Sequence, residues 1–317
     1  MSWAVTFRRV ASVNEVTERE DLNVTVTDTE WLAERFETHR PHLRAVAYRM
    51  LGSRTEADDV LQDAWLRFSR TDTTDVENLR GWLTTVVARL CLDQLRWRRT
   101  RREDPMGVHM PEPILARPDT TDPEQEAVLA DSVGLAMLVV LDMLTPSERL
   151  AFVLHDVFGL PFDEIAPIVE RTPTATRQLA SRARRRLRDS PTASDVGLPR
   201  QWQVVDAFLA ASREGDFDAL LAVLDPNVVV RADFGARRAT ATGEVRGART
   251  VAAQALTFRH LAPSARRVAV NGGAGAVAFA GGRPFALLGF TVRGGRIVEI
   301  DILGDPQRLD QLDLAAP

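Results

Sequence analysis

The sequence predicts two all-α helical modules followed by a separate α+β domain, and three observations carry that expectation. Apolar residues recur at helical spacing from Trp31 to Leu187, a proline-rich acidic stretch divides that helical part, and β-branched and aromatic runs of strand type enter only near Val228. With 317 residues, 45% of them hydrophobic and 26% charged, the chain can bury sizeable cores but is long for a single one. Two or three domains are expected.

Residues 1–30 mix charges without sustained apolar periodicity and read as a flexible N-terminal extension. From Trp31 the pattern changes: Leu32, Phe36, Leu43, Val46, Ala47 and Met50 recur at helical spacing, and Gly52 follows where a helix would stop. Thr55 precedes a second helix carrying Val60, Leu61, Ala64, Trp65 and Phe68. A polar loop, 71–78, separates it from a third helix with the stripe Leu79, Trp82, Leu83, Val86, Val87 and Leu90. These three amphipathic helices, over 31–100, make a small bundle. The third runs out into Arg96, Arg98, Arg99, Arg101 and Arg102, and the prolines from Pro105 to Pro123 make 101–123 a linker.

Helical spacing returns over 124–189. It runs to Leu144, where Thr145-Pro146-Ser147-Glu148 reads as an N-cap with proline at N1 and glutamate at N3. A helix from Arg149 to Val157 then stops ahead of Gly159. Two short helices, Phe162 to Val169 and Thr174 to Arg188, are split by Glu170-Arg171-Thr172-Pro173 in a helix-turn-helix pattern. A second linker covers 190–200. In the last domain, 201–317, Trp202 to Ala211 and Phe217 to Leu224 are helical. Val228 to Val230, Val268 to Val270, Ala276 to Ala280 and Phe285 to Val292 favour strands, and Arg293-Gly294-Gly295-Arg296 turns the chain into Ile297 to Leu303.

Composition excludes several classes of function. The single cysteine, Cys91, cannot close an intramolecular disulfide, and five scattered histidines lack the spacing of a structural zinc site, so no metal and no cofactor is expected. No apolar run reaches the roughly 18 to 20 residues of a membrane span, and the acidic N-terminus is no secretory leader; a cytoplasmic protein is expected. All 40 basic residues are arginine, which removes lysine Schiff-base and P-loop chemistry and fits a GC-rich genome.

The net charge of −4 hides a partition. Residues 105–170 hold 2 arginines against 12 acids, whereas Arg171 to Arg188 holds seven arginines and no acid, which invites a phosphate-binding reading. On a wheel, Ala175, Leu179, Ala183 and Leu187 share one stripe of the last helix. Thr174, Arg177, Gln178, Ser181, Arg184, Arg185 and Arg188 fall opposite, with Arg182 close by. Arginine and glutamine can read base edges in a major groove while other arginines neutralise phosphates; a plain solvated helix with basic residues at its C-terminus is the bland alternative. Arg80, Trp82, Arg89, Arg96, Arg98 and Arg99 suit unstacked bases, although Trp82 at helical spacing also suits a core. Glu56, Asp58, Asp59 and Asp63 either complement a helix dipole or face a basic partner.

At Leu51-Gly52-Ser53-Arg54-Thr55-Glu56-Ala57-Asp58-Asp59-Val60-Leu61-Gln62-Asp63-Ala64-Trp65 the chain resembles region 2 of extracytoplasmic-function (ECF) sigma factors of the sigma-70 family. The resemblance implies that Asp58, Asp59, Leu61, Gln62, Asp63 and Trp65 dock on the clamp of core RNA polymerase. It also implies that Asn78-Leu79-Arg80-Gly81-Trp82-Leu83 through Arg96 melts and reads the minus-ten element, the 71–78 loop holding a flipped base. Leu160-Pro161-Phe162-Asp163-Glu164-Ile165-Ala166 and Ala180-Ser181-Arg182-Ala183-Arg184 are similar to region 4, which binds the minus-thirty-five element and the polymerase flap. His109-Met110-Pro111-Glu112-Pro113 resembles the linker signature of a subgroup carrying a SnoaL-like C-terminal domain, a cone-shaped α+β barrel of the NTF2-like type. The subgroup's glycine loop stands here as Asp233-Phe234-Gly235-Ala236-Arg237 and its tail motif as Asp305-Pro306-Gln307-Arg308-Leu309. With Pro111, Glu112 and Pro113, the residues Asp233, Arg237, Asp305, Pro306 and Arg308 would form a regulatory interface.

The expectation is a non-enzymatic sigma factor that binds core polymerase and promoter DNA, its last domain acting as an intramolecular regulator so that no separate anti-sigma protein is required. Two other readings stay open: a free-standing helix-turn-helix regulator, and a small-molecule sensor or enzyme in the last domain. For the latter, Asp233, Asp301 and His260 are the acid–base candidates, and spacing alone cannot bring them together.

Overall fold

The computed structural model describes residues 17–71, 76–101, 109–116, 134–188, 193–235, 238, 241–312 and 314, with backbone alone for 17–30, 101 and 188. Helices α1 (Thr17–Leu51), α2 (Arg54–Phe68) and α3 (Leu79–Arg101) form the first bundle. Gly52, at φ 70°, turns the chain between α1 and α2, and Ser53 caps α2 by accepting the Glu56 N–H. Phe36, Leu43, Met50, Leu61, Phe68, Leu83 and Val87 are fully buried between the three helices.

The flexible extension expected over 1–30 is corrected from Thr17 onward, where the backbone is already helical. A helix nucleated further along extends by one hydrogen bond per residue fixed, so it needs no apolar stripe of its own. Residues 1–16 lie outside the described residues.

The second module comprises α4 (Leu135–Asp142), α5 (Pro146–Phe152), a π turn (Val153–Val157), α6 (Phe162–Val169) and α7 (Pro173–Arg188). Thr145 and Glu148 close a full capping box, which starts α5 at Pro146 rather than Arg149. Glu170 ends α6 in the left-handed region at φ 57°, and Thr172 accepts the Ala175 N–H at 3.2 Å to begin α7. The two modules share one core, in which Leu138, Leu141, Leu150, Phe152, Ile165 and Leu187 join the residues of the first bundle. Arg149 is 2% exposed there; its Nε donates to the Arg49 carbonyl at 3.1 Å and its Nη1 to Asp142 at 2.9 Å.

The last domain sets α8 (Leu198–Glu214), α9 (Phe217–Val223) and α10 (Ala248–Thr257) on a mixed sheet of β1 (Leu115–Ala116), β2 (Leu224–Asp233), β3 (Gly243–Arg246), β4 (Arg266–Val270), β5 (Gly273–Ala280), β6 (Arg283–Arg293) and β7 (Arg296–Leu303). A short helix, α11 (Pro306–Leu309), follows. The sheet order is β1-β4-β5-β6-β7-β2-β3, with β2 and β7 parallel and every other pair antiparallel. Val205, Phe208, Leu220, Ala276, Phe290 and Ile300 fill the space between the helices and one face.

The opposite face is covered by Met110, Leu135 and Val139, packed on Val268, Val277, Leu287 and Leu303. The segment read as a linker is therefore more than a spacer: Met110 is fully buried, and Leu115–Ala116 adds a strand opposite Val270 and Ala269. The rest of that stretch, 102–108 and 117–123, lies outside the described residues, as do 124–133. Among the described residues no helix is long and apolar enough to cross a membrane.

Candidate nucleic-acid interface

Helix α7 exposes Thr174, Arg177, Gln178, Ser181, Arg182 and Arg185 on one side. Arg177 also lies 5.3 Å above the Phe162 ring, which fixes the start of the helix against α6. The buried stripe is Thr176, Ala180, Ala183 and Leu187, and Ala175, expected inside, is only half-buried. The Thr176 hydroxyl donates to the Thr172 carbonyl at 3.0 Å, so its polar group is satisfied and the side chain can turn inward. Arg184 is half-buried and bound to Asp156 at 2.6 Å, and Arg186 donates to Glu148 at 3.0 Å; both help hold α7 on its neighbours. The Arg188 side chain lies outside the described residues.

On α3, turning about 100° per residue, Trp82, Arg89 and Arg96 form one line, Arg80 and Arg98 point the opposite way, and Arg99 is exposed between the two. The six candidates thus share no single face. Arg98 lies on the core-facing side, pairs with Glu56 and donates to the Leu51 carbonyl at 3.2 Å, which makes it a structural cation. Arg80 meets His42 at 3.0 Å. Trp82 is half-buried against Phe68, at 6.1 Å between rings, whereas Trp97, which sequence reasoning passed over, is 55% exposed among the arginines of the helix end. Residues 72–75 of the expected base-holding loop lie outside the described residues; Asn78 accepts the Gly81 N–H at 2.9 Å and so starts α3.

Helix α2 exposes Asp58, Asp59, Gln62 and Asp63, Asp58 being paired with Arg44 at 2.7 Å. Leu61, expected on that surface, is fully buried instead: it sits on the apolar stripe of its own helix. Trp65 is half-buried against Phe36, edge to face at 5.4 Å.

The expected regulatory residues converge on two knots. In the first, Glu112 donates its N–H to the Gly52 carbonyl at 2.7 Å, and its carboxylate accepts from Ser53 at 3.0 Å and the Arg54 N–H at 2.8 Å. Pro111 and Pro113 are buried on either side. In the second, the buried Asp233 carboxylate accepts from the Met110 N–H at 2.9 Å, Arg308 at 2.8 Å and the Gly235 N–H at 3.0 Å, while Arg308 also reaches the Met110 carbonyl. Asp305 caps α11 through the Gln307 N–H at 2.9 Å, and Pro306 is exposed at its first turn. Gly235 stands at φ 74°, and a Cβ there would collide with Asp305. Arg237 lies outside the described residues. Asp233 is occupied in this knot, Asp301 is buried beside Glu299 and Arg231, and His260 is exposed on a 3-10 turn, so the three acid–base candidates form no single site.

The Sigma-70 region 2 family model matches residues 35–103 and the Sigma-70 region 4 model matches residues 135–187. SigJ of Mycobacterium tuberculosis, an ECF RNA polymerase sigma factor, is 43% identical over 213 residues, covering 67% of this chain and 68% of SigJ. The protein described as "Probable ECF RNA polymerase sigma factor SigI" from the same species is 37% identical over 275 residues, 86% of this chain and 93% of SigI. The crystal structure of M. tuberculosis SigJ superposes with a TM-score of 0.72 at 35% identity, covering 89% of this chain and all of that one. Fold and arginine-faced helices together define a two-module transcription factor with an appended domain. The chain belongs to the ECF RNA polymerase sigma factors, with an α+β domain at its C-terminal end.

Proposed function

We propose that the exposed face of α7, through Thr174, Arg177, Gln178, Ser181, Arg182 and Arg185, reads the upstream promoter element, and that Trp82, Arg89, Arg96 and Arg99 of α3 lie on the downstream one. The acidic face of α2, with Asp58, Asp59, Gln62 and Asp63, docks on core RNA polymerase in the cytoplasm. The last domain is a built-in regulator: it fastens the segment that joins the two DNA-binding modules and so sets how far they can part. The observation that carries this reading is the strand Leu115–Ala116, by which the intermodule segment forms an edge strand of the last domain's sheet. A fused domain acts at high effective concentration, so weak contacts suffice and no separate anti-sigma protein is required.

The test is run-off transcription with purified core polymerase, comparing the full chain with Arg308→Ala and Asn271→Ala. Changed promoter output with unchanged polymerase affinity supports the regulator, and identical output from all three removes it. Specific promoter binding that is just as tight without core polymerase would instead favour a free-standing regulator.

A further inference from the structure

On the sheet face turned toward α4, β7 carries Glu299 and Asp301 two residues apart, and β2 sets Arg231 in register with Asp301. All three are buried, at 0%, 2% and 5% exposure. Arg231 pairs with Glu299 and with Glu244, at 3.2 Å for the latter, and Glu244 is shared with Arg246 at 2.6 Å. Asp301 Oδ1 lies 3.8 Å from Arg231 and, like Glu299 Oε2, receives no hydrogen bond from the residues around the pair; the two carboxyls hydrogen-bond each other when one of them holds a proton. Buried carboxylates are ordinarily paired and hydrogen-bonded, so two of them against one principal guanidinium need a further positive charge, which a shared proton or a bound cation supplies.

A cavity of about 140 Å³ borders Asp301, with Gly289 and Thr291 on the sheet side and Gly134, Leu135 and Ala136 at the first turn of α4 on the other. Gly134 brings no capping side chain. The first amides of a helix are donors with no partner inside the helix and carry the positive end of its dipole. One wall therefore holds an acid that a cation can ionise, while the facing wall donates and is positive. The volume is close to the roughly 150 Å³ that admits a six-carbon ring.

We propose that this cavity binds a compact zwitterion of the α-amino-acid class, glycine- or alanine-sized, with its ammonium on Asp301 and its carboxylate on the first turn of α4. Burial pushes the Asp301 carboxyl above the usual carboxylate range, so a bound ammonium takes the place of the proton it otherwise keeps. Binding at this site does not depend on whether the last domain regulates transcription. A bound molecule would touch region 4 and the last domain at once.

The test uses the full-length chain in thermal-shift and calorimetric titrations with glycine, alanine, and the two half-molecules methylammonium and acetate. A saturating rise in melting temperature with glycine or alanine, absent for either half, is the expected result; an excluded osmolyte gives a rise that does not saturate. Asp301→Asn should weaken binding about tenfold or more, and Ala136→Leu, which fills the cavity from the helix side, should abolish it. The proposal is overturned if neither amino acid gives a saturating response in the unmodified chain. Equal binding by methylammonium or acetate, or binding retained in both variants, overturns it as well.

Discussion

The Tyr48 hydroxyl accepts a 3.0 Å hydrogen bond from the side-chain amide of Asn271, 223 residues away, and donates its own proton to the Glu112 carbonyl at 2.7 Å. Three parts of the chain meet at one oxygen: the first bundle, the intermodule segment and the last domain. Asn271 holds the left-handed region at φ 49°, and its Oδ1 and N–H both bond Ile114, at 3.0 and 2.8 Å. Burial pushes the Tyr48 phenol well above its ordinary value, so it stays a donor across the neutral range.

Tyr48→Phe keeps the ring and removes the junction. It leaves a buried amide and a carbonyl without their partner, at a cost of about 1–3 kcal/mol. Urea unfolding of the full chain should show that loss, and run-off transcription should show altered output with the DNA-facing residues untouched. Matching midpoints for the two proteins would remove Tyr48 from the junction's energetics.

Promoter reading by α7 divides into two kinds of contact. Arg177→Ala and Gln178→Ala should relax base preference at one upstream position each, by about 1–3 kcal/mol where the contact is bidentate. Arg185→Ala should weaken every promoter alike and reduce the salt dependence of binding. Competition binding of holoenzyme to a set of single-base promoter variants separates the two patterns. The same uniform loss from all three variants would mean that α7 holds the backbone only.

Much of this was legible locally. Thr145 and Glu148 announce their capping box by spacing, and the arginine face of α7 follows from periodicity alone. Thr176 escaped because its hydroxyl is satisfied within the helix, which lets a polar residue take a core position that hydrophobicity assigns to Ala175. A two-residue strand such as Leu115–Ala116 is too short to show a period, so the intermodule segment looked like a spacer. Arg98 carries the same signal as Arg96 and Arg99, and only the turn of the helix reveals that it faces Glu56. The Tyr48–Asn271 contact is set by tertiary packing across most of the chain, which no spacing rule reaches.

The Glu299–Asp301 pair predicts a pH effect of definite sign. Burial raises both carboxyls, and for Glu299 the neighbouring Asp301 charge raises it further. The folded chain therefore keeps protons that the unfolded chain releases at about pH 4, and stability contributed by this pair is lost as pH rises from that range through the raised folded values. Asp301→Asn removes one buried charge and the repulsion on Glu299, and should flatten the decline. Urea midpoints measured at intervals from mildly acid to mildly alkaline pH test this, and parallel curves for the two proteins would show that the pair does not titrate with folding.

Gly52 offers the sharpest test of how the first bundle holds the intermodule segment. It stands at φ 70°, where a side chain is strained, and a Cβ there would sit 3.2 Å from the Pro111 Cβ. Its carbonyl also accepts the Glu112 N–H at 2.7 Å, so any shift that relieves the crowding stretches that bond. Gly52→Ala should cost about 1 kcal/mol or more from backbone conformation alone. The crowding of Pro111 adds to it. Combined with Tyr48→Phe, the two losses should fall short of their sum, because each loosens the same segment and the second variant finds the contact already weakened. A double-mutant cycle by urea unfolding measures that coupling. Strict additivity would show that Gly52 and Tyr48 grip Pro111-Glu112 independently, and the single clasp between first bundle and last domain would have to be redrawn as two.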